Sequence, residues 1–230
     1  EFCYSMADAE RFEVRRADGK LLWAKHVPSE IGPDTHVDDV YTGPVLESGR
    51  QLLTSTGCCL FDEEGALIWT LNDRIEHGQV VKFGHPPGAP AGLIYLNSKT
   101  ERYAWGITPH GEFLWEQRNF SRQKDGRILL TAACTWADWS APGAREIAQA
   151  ELVHGQEEML PQRGTRVTLY LTVLDARGRE VAKLPYEDEV LGSGFNGAMC
   201  CVAGHLVTRD RHDLAVLTHN TGEITIFSPP

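Results

Sequence analysis

No run in this sequence comes near the roughly 20 consecutive apolar residues that cross a bilayer. The opening EFCYSMADAERF also lacks the basic segment followed by an apolar one that marks a secretory leader. A soluble chain with no membrane partner is the expectation. The chain starts on Glu1 and not on Met, which reads as a processed product, an expression junction or a piece of a longer ring. Basic residues are scarce: 22 Lys and Arg stand against 32 Asp and Glu, a net charge of -10. That balance argues against nucleic acid, whose partners carry a basic face.

Chemical motifs are missing too. There is no GxxxxGK[ST], no HExxH and no GxSxG, so phosphate-loop, zincin and α/β-hydrolase chemistries lack their minimum parts. The six cysteines form no CxxC pair, and adjacent pairs at 58–59 and 200–201 strain any bond between neighbours. They read as small buried hydrophobes on strands, with cross-strand disulfides the alternative in a secreted chain. Asn119-Phe120-Ser121 would accept a glycan in such a chain. Helical periodicity is absent as well, and only EIAQAEL could make one short helix.

What is present is a repeat. The phrase ADGKLLW recurs as EEGALIW and PHGEFLW, placing Gly19, Gly65 and Gly111 at intervals of 46 residues. Weaker copies surround Gly178 and Gly222, after intervals of 67 and 44 residues. Each copy has a polar turn ending in Gly between two short apolar runs rich in β-branched and aromatic residues, the form of a hairpin. Two further candidate strands lie between copies, for example GQVVKFG and AGLIYLN. Four short strands in about 45 residues is the blade of a β-propeller. With 230 residues, 42% hydrophobic, the whole of 1–230 is expected to be one all-β propeller domain of four-stranded antiparallel blades. About five blades are visible, closed on themselves or part of a seven-bladed ring. The Trp after each Gly is assigned to packing one blade on the next.

In a propeller the segment leading into each innermost strand arrives at the central channel. Those segments carry His36, Asp38 and Asp39; Asp73, Arg74, Glu76, His77 and Gln79; Arg122, Lys124 and Asp125; and Glu187, Asp188, Glu189 and Asn196. Two successive blades thus place a His among carboxylates, which suits a general base, a sugar-binding residue or a metal ligand. Asp38, Asp39, Asp73 and Glu76 are hard oxygen donors of the kind calcium takes if they converge. The long interval holds an insertion at about 134–165. There Trp136 and Trp139 flank Asp138 and could offer aromatic faces to sugar rings. Gln79 and Asn196 are the matching polar contacts.

The stretches HVDDVYTG, EHGQVVKFG, PPGAPAGLIYLN and GEFLWE resemble the blade consensus of propeller polysaccharide lyases that act on rhamnose-containing pectins and gums. These are the rhamnogalacturonan lyases and the seven-bladed rhamnosyl-glucuronate lyases. The likeness covers residues 34 to 116. It implies a secreted enzyme (cytoplasmic is the alternative) that cleaves a rhamnose–uronate linkage of a plant polysaccharide by β-elimination. In that chemistry His77 matches the motif and is the expected base, with His36 second. Arg74, Arg122 or Lys124 would hold the uronate carboxylate, and Tyr41 or Tyr103 would protonate the leaving oxygen. Seven blades exceed what 230 residues supply. The alternative from another class is a non-catalytic propeller that binds a glycan or protein at its channel face.

Overall fold

The computed structural model describes residues 2–8, 10–32, 36–98, 101–118, 120–122, 128–154, 163–190, 196–218 and 220–230. They form four antiparallel sheets arranged as a β-propeller. The first sheet holds β1 (Phe2–Asp8), β2 (Arg11–Arg16) and β3 (Leu21–His26). The second holds β4 (Val40–Gly43), β5 (Gln51–Thr54), β6 (Leu60–Phe61) and β7 (Leu67–Trp69). The third holds β8 (Val80–Gly84), β9 (Leu93–Ser98), β10 (Tyr103–Ile107) and β11 (Phe113–Arg118). In the second and third sheets the strands run in chain order, and their first strands, β4 and β8, pack side by side.

The fourth sheet departs from the expected pattern. It contains β12 (Phe120–Arg122), β13 (Ile128–Ala137), β14 (Glu146–His154), β15 (Thr165–Leu174), β16 (Glu180–Val190), β17 (Asn196–Gly204), β18 (Asp213–Thr218) and β19 (Ile224–Phe227). One edge of β14 pairs with β13. The other is divided, with Ile147–Ala150 bonded to β15 and Leu152 and Val153 bonded to β17. Sharing that strand merges the last two repeats, so five hairpins make four sheets. EIAQAEL is the body of β14 and not a helix, and much of the supposed insertion is the long β13–β14 pair. Strand pairing on both edges bonds the backbone groups that point to either side, which outweighs the weak helical preference of a seven-residue segment.

The repeated phrase has a physical cause. In its first four copies the same two backbone bonds close the turn, at 2.8 to 3.2 Å: Arg16, Asp62, Thr108 and Asp175 each donate N–H to the carbonyl four residues on. Each also accepts from the N–H of the glycine three residues on. All five glycines have φ between 68° and 84°, the left-handed region where a side chain is strained. A register shift follows each of the four turns, as in a three-residue hairpin with a bulge.

The phrase's Trp then reaches the next sheet. The indole N–H of Trp23 donates to Glu63 O at 3.1 Å, that of Trp69 to Pro109 O at 2.9 Å, and that of Trp115 to Ala176 O at 2.9 Å. Each acceptor lies two residues before the next phrase's glycine. The indole faces that glycine closely: a Cβ on Gly65 would lie 2.7 Å from Trp23, and one on Gly178 2.8 Å from Trp115. At Gly65 and Gly178 glycine is thus required twice over, for the turn and for the incoming ring, while at Gly111, where a Cβ would lie 3.4 Å from Trp69, the turn alone requires it. Separate apolar clusters fill the spaces between sheets. Phe12, Val27, Ile31 and Phe61 lie between the first and second, and Leu53, Val81, Ile94 and Trp105 between the second and third.

The five cysteines whose side chains are described carry free thiols. Cys58, Cys59, Cys134 and Cys201 are buried, and burial pushes Cys59 up to about 11 and Cys201 up to about 12, so they remain protonated apolar fillers. Asn119 lies outside the described residues.

Candidate functional site

Two loops meet where β4 and β8 begin. Residues 36–39 lead into β4, and residues 76–79 lead into β8. The first loop is held by the turn after β5: Thr56 Oγ1 donates to His36 O at 2.9 Å, and Asp39 and Ser55 bond each other, N–H to hydroxyl at 3.0 Å and N–H to carbonyl at 2.9 Å. The second loop presses on the same turn. A Cβ on Gly78 would stand 2.1 Å from Ser55 O, so only glycine permits the approach. Ile75, fully buried, anchors this loop below. Glu101, from the β9–β10 turn, accepts the N–H of Glu76 at 2.7 Å and of His77 at 2.9 Å, and also the Ser98 hydroxyl.

These supports bring His36, Asp38 and His77 together. Asp38 Oδ1 is 3.4 Å from His36 Nε2, and Asp38 Oδ2 is 3.0 Å from His77 Nε2. The rings stand edge to face with centroids 5.1 Å apart. The Gln79 side-chain nitrogen contacts both Asp38 Oδ2 and His77 Nε2. The side chains are partly open, 44% for His36, 28% for Asp38 and 19% for His77. A ligand can therefore reach them.

Of the expected site residues, these four assemble, and the others go elsewhere for identifiable reasons. Asp39 turns inward, where Oδ2 accepts from Val81 N at 3.1 Å and pairs with Lys82 Nζ at 3.0 Å. It is a clasp between β4 and β8. Asp73 and Glu76 are exposed in the loop before β8, and neither joins the only candidate metal group found among the described residues. The calcium cage of four carboxylates is therefore not formed. Arg74 is bound away from the cluster, 3.1 Å from Glu116 Oε2 and with its guanidinium 3.9 Å above Phe113.

Both expected sugar platforms are corrected to packing residues. Trp139 is 4% exposed in the core of the fourth sheet. Trp136 is half-buried, donates to Phe83 O at 3.1 Å and lies over Gly84, so it braces the fourth sheet on the third. Tyr41 stands on β4 with its ring 5.4 Å from Phe83, and burial raises its hydroxyl pKa. Tyr103 begins the third strand of its sheet and packs on Trp105. Arg122 ends β12 and Asn196 begins β17, but their side chains lie outside the described part, as does Lys124 entirely.

Glu101 was missed by sequence reasoning. Its signal is faint: an acid in a hairpin turn, whose distance from the site in the chain hides the backbone it holds.

A second imidazole pair shows what a ring contact alone is worth. His205 and His212 also meet edge to face, at 4.9 Å. Their Nδ1 atoms are engaged with backbone, His205 with Arg211 O at 3.0 Å and His212 accepting from Asp138 N at 3.1 Å. That pair fastens loops.

No protein-family profile and no curated protein matches this chain. Among solved structures, it is similar to a crystal structure at 1.35 Å of a protein of unknown function from Bacteroides caccae. The TM-score is 0.38 at 11% identity, over 99% of this chain and 72% of that one.

Proposed function

We propose that this propeller is a carbohydrate-active protein that engages a uronate-bearing polysaccharide at His36, Asp38, His77 and Gln79 and cleaves it by β-elimination. The observation that carries this reading is the convergence of imidazoles from two successive sheets on one carboxylate at an open position. Elimination at a uronate requires the substrate carboxylate to be neutralised so that the C5 proton becomes acidic. In a chain of net charge -10 a polyanion must find that positive charge locally. Among the described residues, Arg74 and Lys82 are engaged with Glu116 and Asp39, and this reading gives the role to the cluster.

In the reaction, the C5 proton passes to a water that the imidazole–carboxylate cluster makes basic. The C4–C5 double bond forms and the C4–O bond breaks. Tyr41, on the strand that the first loop leads into and kept protonated by burial, is assigned the proton that the departing oxygen takes up. His77 belongs to this reading as a partner of Asp38 and not as an isolated base.

Incubation with rhamnogalacturonan or gum arabic is expected to raise the ultraviolet absorbance of an unsaturated uronate, and His77→Ala to abolish the rise. Glycan binding without new absorbance would give the site to non-catalytic recognition.

A further inference from the structure

We propose that His36, Asp38 and His77 form a binding site for one divalent transition-metal ion of the zinc, cobalt or manganese class, an inference that rests on the glycan reading for its location alone. One ligand atom from each residue lies within 4.8 Å of the other two. Each imidazole–carboxylate separation is one that two ligands of a single ion can show, with the carboxylate offering a different oxygen to each ring. Two donors each about 2.1 Å from one ion stand about 3.0 Å apart at an octahedral angle and about 3.4 Å apart at a tetrahedral one. The observed spacings are 3.0 Å from His77 Nε2 to Asp38 Oδ2 and 3.4 Å from His36 Nε2 to Asp38 Oδ1.

The charge at the centre points the same way. The Nε2 atoms of both imidazoles face the oxygens of one carboxylate, and the Gln79 side chain reaches Asp38 Oδ2 and His77 Nε2. In the tautomer protonated at Nδ1 each ring turns its Nε2 lone pair toward the carboxylate, and a cation placed there is bound by all three groups. With the Gln79 amide turned over, a choice made only by its hydrogen bonds, its oxygen takes the same place and supplies a fourth donor.

Ligand type excludes calcium, which takes six to eight oxygens. Imidazole nitrogen with one carboxylate suits borderline ions. Three protein ligands at a partly open position are the pattern of a reactive site, since water or a substrate carboxylate can fill the rest. The backbone of these ligands is already fixed by Thr56 on His36 and by Glu101 on His77, and this support limits the ordering that an ion would impose. An ion here supplies the local positive charge that elimination requires and lowers the pKa of a bound water.

The test uses the full chain, treated with chelator, dialysed and titrated with Co²⁺ while visible absorption is recorded. One equivalent should bind with a ligand-field spectrum, and Zn²⁺ should displace it. His36→Ala and His77→Ala should each weaken binding at least tenfold, while Asp73→Asn leaves it unchanged. In the unsubstituted chain, Zn²⁺ should shift the imidazole resonances of His36 and His77 and not those of His205 and His212, a readout that no misfolded variant can imitate. Absence of stoichiometric binding, a response to Ca²⁺ alone, or binding that survives in the double His→Ala variant would overturn the site. Metal bound without unsaturated product sinks the lyase reading and keeps the ion site, and product formed by a chain that binds no stoichiometric metal does the reverse.

Discussion

The first three joints of the propeller and the turns at its C-terminal end are held by different devices. At the joints an indole crosses from one sheet to the glycine turn of the next, at Trp23, Trp69 and Trp115. The final copy has no such partner: Ala182 stands where the fourth Trp would be, and nothing lies within 4 Å of a Cβ placed on Gly222. The turn before this hairpin, between β17 and β18, is closed by the buried carboxylate of Asp213, which accepts from Leu206 N, Val207 N and Thr208 N at 2.5 to 2.9 Å. Desolvation opposes the charge on Asp213, but these N–H donors and the Ser228 hydroxyl outweigh it and hold its pKa well below the usual carboxylate range. One device is uncharged and indifferent to pH. The other is electrostatic and fails in acid.

The sharpest way to separate them is Trp69→Ala, which empties a joint and removes a hydrogen bond. It should lower stability by about 3 kcal/mol, measured from the midpoint and slope of urea unfolding, and a loss within error of zero would mean the indoles do not hold the sheets. Next is Gly65→Ala against Gly222→Ala. At Gly65 the new methyl meets both a positive φ and the Trp23 ring, for a loss of about 2 kcal/mol or more. At Gly222 only the backbone objects, for a loss of about 1 kcal/mol. Equal effects would refute the double demand placed on the joint glycines.

The smallest effect at neutral pH belongs to Asp213. Its folded pKa is depressed, so its contribution is complete above the unfolded carboxylate value near pH 4 and is lost as pH falls toward the folded value. Hydrogen exchange at Val207 and Thr208, corrected for intrinsic rate, should quicken below about pH 4 while the indole N–H of Trp69 stays protected. Asp213→Asn should show the faster exchange already at pH 7.

Much of this architecture could be read from the chain because glycine and tryptophan carry the repeat, and each has a stereochemical reason to recur. The number of sheets could not. The divided edge of β14 is decided by where β15 and β17 arrive, and no local pattern announces it. At the site, position in the repeat was enough to single out His36 and His77. Choosing Asp38 over Asp39 was not possible, because Lys82 and the Val81 N–H that capture Asp39 lie more than 40 residues away in the chain. Trp136 and Trp139 were misread for a similar reason: an aromatic beside an acid looks the same whether its face meets solvent or the neighbouring sheet.

The likeness among the three tryptophan joints has a kinetic consequence. A ring that finds the wrong glycine turn, one repeat too far along or in another molecule, meets nearly the same carbonyl and the same bare Cα, so little energy distinguishes the error from the native match. Chains refolding at high concentration should therefore visit skipped and exchanged dockings before the correct order is reached. Selection among those alternatives falls to the dissimilar residues beside each joint, among them the Arg74–Glu116 pair.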